Sequence, residues 1–297
     1  MSEKHDILVL IPAYNEGLVI GSLILNVQQY ADKVIVVNDG SSDNTEEIAK
    51  LAGVECLSLE QNSGKAHAMM LGFERARELN YTVTVMIDGD GQHNPADIPK
   101  LVKPVLDGEA DLVVGSRFLE SAGVEEIPAY RKVGQKILNQ ATNVSSGFKC
   151  SDSQSGYRAL SQKALMNMNF VSSGYGIESD MLSHFAELGL TITEAPISVT
   201  YEVPHKHKMN PIKHGFSVLS GLIQLITVKR PIICFGIPGF ILTAIGAVLG
   251  FNAISIASKS AWSPTLTLAS LMLILMGMLL LSVALILYSV AILVRKV

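Results

Sequence analysis

The stretch Val83-Thr-Val-Met-Ile87-Asp88-Gly-Asp90-Gly-Gln92-His93 sets an apolar run directly against a turn that carries two carboxylates and an amide. Five β-favouring residues followed by glycines predict a buried strand over 83–87 that ends in a loop. A strand that is apolar on both faces belongs in a parallel sheet covered on both sides. The same arrangement recurs on either side. Residues 6–11 (DILVLI), 33–38 (KVIVVN), 54–59 and 112–114 read as further strands, and 18–30, 45–52, 66–79 and 96–106 carry helical periodicity. Strands alternating with helices predict an α/β fold, with a mostly parallel sheet and helices on both faces. In such sheets ligands bind at the carboxyl ends of the strands.

The residues just after each strand are therefore the candidates for chemistry. They are Pro12-Ala-Tyr-Asn-Glu16, Asp39-Gly-Ser-Ser-Asp43, Asp88-Gly-Asp-Gly-Gln-His93 and Gly115-Ser-Arg117. No G-x-G-x-x-G follows the first strand, which disfavours a nicotinamide dinucleotide site, and no P-loop pattern occurs. A calcium loop fails, because its sixth position is His93 and its twelfth is Pro99. In an extended segment, residues two apart point the same way. Asp88, Asp90 and Gln92 are thus expected to offer oxygens to one ligand, a donor set suited to Mg²⁺ or Mn²⁺ bound to a diphosphate. Asn94, just before Pro95, is the better helix cap, which leaves both aspartates for that ligand.

Charge divides the chain. Its 23 basic and 27 acidic residues give −4, yet residues 231–297 hold only Lys259, Arg295 and Lys296. Residues 1–230 therefore carry 23 − 3 = 20 basic and 27 acidic residues, net −7. A nucleic-acid binder is excluded for lack of a broad basic surface. Cys56, Cys150 and Cys234 are too few and too scattered for a disulfide scaffold or a metal site. Residues 232–256 and 266–294 contain no charge, and each exceeds the roughly 20 residues needed to span a bilayer. Lys229, Arg230, Arg295 and Lys296 flank these two spans, so the positive-inside rule places the large domain and both termini in the cytoplasm. Residues 210–230 show amphipathic helical spacing (Ile212, Phe216, Leu219, Ile223, Ile226), expected to lie on the membrane surface. The expected domains are 1–209, 210–230 and 231–297.

Together with Asn38-Asp-Gly-Ser-Ser-Asp43 and Asn62-Ser-Gly-Lys65, these motifs resemble family 2 glycosyltransferases of the GT-A (Rossmann-like) fold. More narrowly, they resemble the polyprenyl-phosphate (dolichyl-phosphate) sugar synthases, over roughly residues 6–215. That family transfers a sugar from a nucleotide diphosphate donor to a membrane polyprenyl or dolichyl phosphate, with inversion. The resemblance implies that Pro12, Ala13, Tyr14, Glu16, Asp39, Lys65, Asp88 and Gly89 contact the nucleotide sugar, and that Asp90 and Gln92 hold Mg²⁺ or Mn²⁺. It implies that Arg117 and Arg131 meet phosphates and act with Asp90 in catalysis. Ser155 and Arg158 of Ser153-Gln-Ser-Gly-Tyr-Arg158, and Glu178 of Gly176-Ile-Glu-Ser-Asp180, are implied on the acceptor side. The family's Arg and Gly-x-Ser-Lys before the membrane are absent. Lys206, His207, Lys208 and Lys213 stand in that place and are the candidate cations for the lipid phosphate, or for an anionic membrane surface.

A phosphate monoester has a second pKa of about 6, so the acceptor is already a dianion at neutral pH and needs no strong base. A UDP-sugar, glucose or N-acetylglucosamine, is favoured over GDP-mannose by the overall resemblance. A processive polysaccharide synthase would carry Gln-x-x-Arg-Trp on the domain, but the only tryptophan is Trp262, between the spans. A catalytically silent nucleotide-sugar-binding regulator is disfavoured by the complete Asp88/Asp90/Gln92 set. Gly236, Gly239, Gly246 and Gly250 permit close helix packing, and with it a homo-oligomer.

Overall fold

The computed structural model describes residues 6–119, 139, 143, 148–168, 177–200, 231–257 and 263–294. The chain divides into two compact units, Met1–Pro211 and Ile212–Val297.

In the first unit the strands are β1 (Ile7–Ala13), β2 (Lys33–Asn38), β3 (Glu55–Ser58), β4 (Val83–Met86), β5 (Leu112–Ser116), β6 (Arg158–Ser161) and β7 (Ile192–Pro196). The helices are α1 (Ile20–Val27), α2 (Thr45–Leu51), α3 (Lys65–Leu79), α4 (Ile98–Leu106), α5 (Gln162–Met166) and α6 (Ile177–Glu187). One seven-stranded sheet runs β3-β2-β1-β4-β6-β5-β7. All its pairings are parallel except those of β6, which lies antiparallel between β4 and β5. The mostly parallel sheet matches expectation. β6 and β7 do not follow from the sequence pattern. Arg158-Ala-Leu-Ser161 offers only two apolar residues, and Ile192-Thr-Glu-Ala-Pro196 is part-polar and ends in proline.

β1 shows how the core forms. Its seven residues are all buried, and successive side chains enter opposite layers. Ile7, Val9 and Ile11 pack in one layer with Ile20, Leu23 and Ile24 of α1 and Leu101 and Val105 of α4. Leu8 and Leu10 pack in the other with Met69 and Phe73 of α3 and Met181, Leu182 and Phe185 of α6. At about 1.5–3 kcal/mol for each fully buried large apolar side chain, this double-sided burial is the main force fixing the strand order.

In the second unit, a π-helical turn (Ile232–Gly236) leads into α7 (Ile237–Ala257), and Pro264–Val294 forms α8. Segments Ile232–Ala257 and Pro264–Val290 have mean hydropathies of 2.4 and 2.7, long and apolar enough to cross a membrane. Their large side chains face outward, with Phe240 68%, Phe251 74% and Ile254 71% exposed. The two helices pack against each other through small residues. A Cβ on Gly239 would sit 2.8 Å from the Gly277 carbonyl oxygen, and Ser270 Oγ donates to the Gly246 carbonyl at 2.8 Å. The glycines noted in the sequence thus serve contact within the chain, the small-residue packing that apolar helices use in lipid. Residues 210–230, expected as a surface helix, lie outside the described residues.

Candidate active site

The loops after β1, β2 and β4 meet at one edge of the sheet. The β1 loop turns at Asn15, whose φ of 57° is the left-handed conformation asparagine tolerates. It is tied to the β2 loop by Asn15 N–H to Ser41 Oγ (2.9 Å), Glu16 N–H to Thr45 Oγ1 (2.9 Å) and Gly17 N–H to Asp43 Oδ2 (3.0 Å). Ser41, Asp43 and Thr45 were not assigned this stitching role from the sequence. Their signal is the polar density of Ser41-Ser42-Asp43, which reads equally well as an ordinary turn. Gly89 N–H donates to the Pro12 carbonyl (3.2 Å) and joins the β4 loop to the β1 loop.

Between these loops lies a cleft of about 220 Å³ lined by Pro12, Ala13, Tyr14, Glu16, Asp39, Lys65, Ala68, Asp88, Gly89 and Asp90. All eight residues expected at the nucleotide sugar therefore share one cleft with Asp90, and Ala68 of α3 completes the lining. Asp39, 4% exposed, accepts from Ser63 N–H (2.7 Å) and Gly64 N–H (2.9 Å). Its carboxylate thereby fixes the start of α3 and the placement of Lys65. Lys65 Nζ lies 2.5 Å from Asp88 Oδ1 and 2.7 Å from Glu178 Oε1, a cation shared by two carboxylates from different elements.

The segment after β4 is not extended. It turns at Gly91 (φ 70°), and Gln92 N–H donates back to Asp90 Oδ1 at 3.0 Å. This corrects the expectation that Asp88, Asp90 and Gln92 project in parallel, since the glycines let the chain fold on itself where a strand would continue. Asp88 and Asp90 line the cleft; Gln92 is not among its lining residues, and its carbonyl accepts from Thr200 N–H (2.9 Å). Asn94 caps the following turn through Ala96 N–H at 3.1 Å, as expected.

The electrostatics follow from burial and neighbours. Burial, with Asp88 adding negative charge, pushes the Asp90 carboxyl up to about 6. Burial and the charges of Asp90, Asp43 and Asp88 push Glu16 up to about 7. For Asp88, burial favours the neutral acid, but Lys65 and then His93 outweigh it and hold the carboxyl below the usual range. Burial pushes His93 down to about 4, so it is neutral near pH 7. The cleft therefore gathers carboxylates, of which Asp88 is paired with Lys65, in a setting that favours a cation. Among the described residues, no cluster of three or more His, Cys, Asp or Glu could hold an ion alone. An ion here would need oxygens from a ligand as well.

Beyond the cleft, Arg117 binds Asp152 bidentately, Nε to Oδ2 at 2.7 Å and Nη2 to Oδ1 at 2.8 Å. Asp152 is fully buried. Glu194 of β7 anchors the segment before it by accepting from Ser151 N–H (3.0 Å) and Ser151 Oγ (2.7 Å). Asp152 and Glu194 were not assigned this orienting duty from the sequence. Ser155 and Arg158, expected to face the acceptor, are 2% and 0% exposed. Arg158 donates to the carbonyls of Ser155 (2.8 Å), Glu178 (2.7 Å) and Ser153 (2.8 Å). Its guanidinium braces the chain from inside, which corrects the expectation of contact with a lipid phosphate. Arg131, Lys206, His207, Lys208 and Lys213 lie outside the described residues.

Residues 8–168 match the family described as Glycosyl transferase family 2. The chain is 32% identical over 239 residues to a UDP-N-acetylglucosamine--dolichyl-phosphate N-acetylglucosaminyltransferase of Methanococcus voltae, covering 74% of this chain and 95% of that one. It is 32% identical over 217 residues to an undecaprenyl-phosphate mannosyltransferase of Micrococcus luteus, covering 69% and 87%. Among solved structures, glucosyl-3-phosphoglycerate synthase from Mycobacterium tuberculosis in complex with Mn²⁺, UDP and glucosyl-3-phosphoglycerate matches with a TM-score of 0.58 and 25% identity, over 76% of this chain and 80% of that one. With a sheet edge that gathers the expected loops into one acidic cleft, and with matches of this extent, the chain belongs to glycosyltransferase family 2, on the GT-A fold.

Proposed function

We propose that this enzyme transfers a sugar, with inversion, from a nucleotide diphosphate sugar to the phosphate of a membrane polyprenol, and that the donor is a UDP-sugar. The observation that carries the reading is the single cleft that combines Tyr14, Asp39, Lys65, Asp88 and Asp90, in a chain that also has two helices apolar enough to span a bilayer. An anchor is superfluous for a soluble acceptor and useful for one confined to the interface. The Methanococcus voltae and Micrococcus luteus relatives are named for lipid phosphate acceptors. The first is named for a UDP-sugar donor, and the Mycobacterium tuberculosis synthase was solved with UDP.

In this reading Tyr14, 42% exposed, offers its ring to the base. Asp39 accepts from the ribose or base with lone pairs not already given to Ser63 and Gly64. Asp90 would hold Mg²⁺ or Mn²⁺, which would neutralise the departing diphosphate. Arg117, oriented by Asp152, supplies positive charge for phosphate oxygens, with Arg131, Lys206, His207 and Lys213 as further candidates. The acceptor dianion attacks the anomeric carbon from the face opposite the diphosphate, and the anomeric C–O bond breaks as the new one forms. Catalysis is then positioning and charge rather than proton abstraction. The flanking cations support a cytoplasmic enzymatic unit with both termini on the same side.

GDP-mannose is the second reading, favoured by the mannosyltransferase relative. Titrating the purified protein with UDP and with GDP in the presence of Mn²⁺ separates the two. Tighter binding of UDP is expected; tighter binding of GDP would move the donor to GDP-mannose, and binding of neither would remove the nucleotide-sugar assignment.

A further inference from the structure

We propose that Gly156 is a positioning residue of the donor site: the space left by its missing side chain is the space in which the Asp88 carboxylate sits. This rests on Asp88 being a donor contact, as argued above. A Cβ on residue 156 would lie 2.5 Å from Asp88 Oδ2, 2.6 Å from Oδ1 and 2.8 Å from Cγ. Backbone torsion does not demand glycine here, because Gly156 is not among the glycines with positive φ. What demands it is the carboxylate.

The backbone at 156 has little freedom to yield. Ser155, Tyr157 and Arg158 are each at most 2% exposed. Tyr157 Oη donates to the Asn94 carbonyl (3.2 Å), Arg158 is tied to three carbonyls, and its strand pairs with Met86 of β4, two residues before Asp88. Asp88, by contrast, is the end of a side chain that can rotate. An added methyl would therefore displace the carboxylate rather than the chain. The displaced group would leave Lys65, 2.5 Å away, and with it the bridge by which Lys65 joins Asp88 to Glu178. The Ser153–Arg158 stretch thus acts on the donor side: Arg158 locks it, and Gly156 seats the carboxylate.

The test compares wild type, Gly156→Ala, Asp88→Ala and the double variant as full-length protein. A ligand-free structure of Gly156→Ala is expected to show Asp88 and Lys65 separated with the backbone in place. UDP with Mn²⁺ is expected to bind Gly156→Ala about 10- to 100-fold more weakly, the scale of one misplaced charged contact. The donor KM should rise while the acceptor KM and the thermal midpoint hold. In the Asp88→Ala background the glycine substitution should add nothing, because the colliding group is gone. An Asp88–Lys65 contact that survives in Gly156→Ala, or a binding loss that adds in full to that of Asp88→Ala, would overturn the proposal. If wild type binds neither UDP nor GDP, the functional reading fails instead, and the ligand-free structure still decides the role of Gly156.

Discussion

Asp90 lines the cleft beside Asp88 and accepts from its own loop at Gln92 N–H (3.0 Å). Removing its charge should abolish sugar transfer without unfolding the domain. Asp90→Asn keeps an acceptor for Gln92 N–H and loses only the charge, so a loss of at least about 100-fold in turnover by Asn as well as Ala is expected. Near-normal turnover by Asp90→Asn would show that the carboxylate acts only through the loop. Asp39 differs, since its two oxygens already hold Ser63 and Gly64. Asp39→Ala leaves both N–H groups without that partner, at about 1–3 kcal/mol for each one left unsatisfied. It should lower both the thermal midpoint and the UDP affinity, and an unchanged midpoint would contradict this. At this scale the sequence was most legible, because residues directly after apolar strands must emerge at one sheet edge. It was least legible for Ser155 and Arg158. A polar segment on paper does not disclose that its charge is buried against carbonyls, and only the packing of β6 between β4 and β5 makes it so.

The antiparallel β6 is also where the elements depart most from simple alternation. Its junction with β5 and β7 is pinned by Asp111, which accepts from Thr191 N–H (3.0 Å), Lys163 Nζ (3.0 Å) and Ser161 Oγ (3.2 Å). Burial works against this carboxylate, but the N–H of Thr191, with Lys163 and Ser161, holds its pKa below the usual range. A depressed folded-state pKa stabilises fully above the unfolded value of about 3.9, and that stability is lost as pH falls through the folded value. Thermal midpoints measured from pH 7 down to pH 3 should therefore fall less steeply for Asp111→Asn than for wild type; parallel curves would rule this contribution out. Helices α1 to α4 were readable within a turn, since α3 follows its apolar spacing, and β2 spans the expected residues, but α5 and α6 were not expected. β6 and β7 were not readable, because in short part-polar strands tertiary pairing outweighs local pattern.

For the molecule as a whole, the second unit holds two helices long and apolar enough to cross a membrane. Two helices of mean hydropathy 2.4 and 2.7 whose large side chains face outward should keep the protein in membranes after an alkaline carbonate wash. Release into the supernatant would contradict a spanning hairpin. Protease applied to inverted vesicles, but not to intact cells, should digest the first unit if the flanking cations orient the chain as proposed. The reverse pattern would place the unit outside. The apolar tail was legible from charge alone, whereas the use of Gly239 and Gly246 within the hairpin depended on the register between its helices. Sugar transfer to a lipid phosphate can be followed with a radiolabelled sugar. Purified full-length protein is given labelled UDP-N-acetylglucosamine, UDP-glucose or GDP-mannose with Mn²⁺, with and without polyprenyl phosphate. The expected result is label in the organic phase only when the lipid is present, released by mild acid and matched mole for mole by free nucleoside diphosphate. Nucleoside diphosphate formed equally without the lipid, or no labelled lipid from any of the three donors, would contradict it.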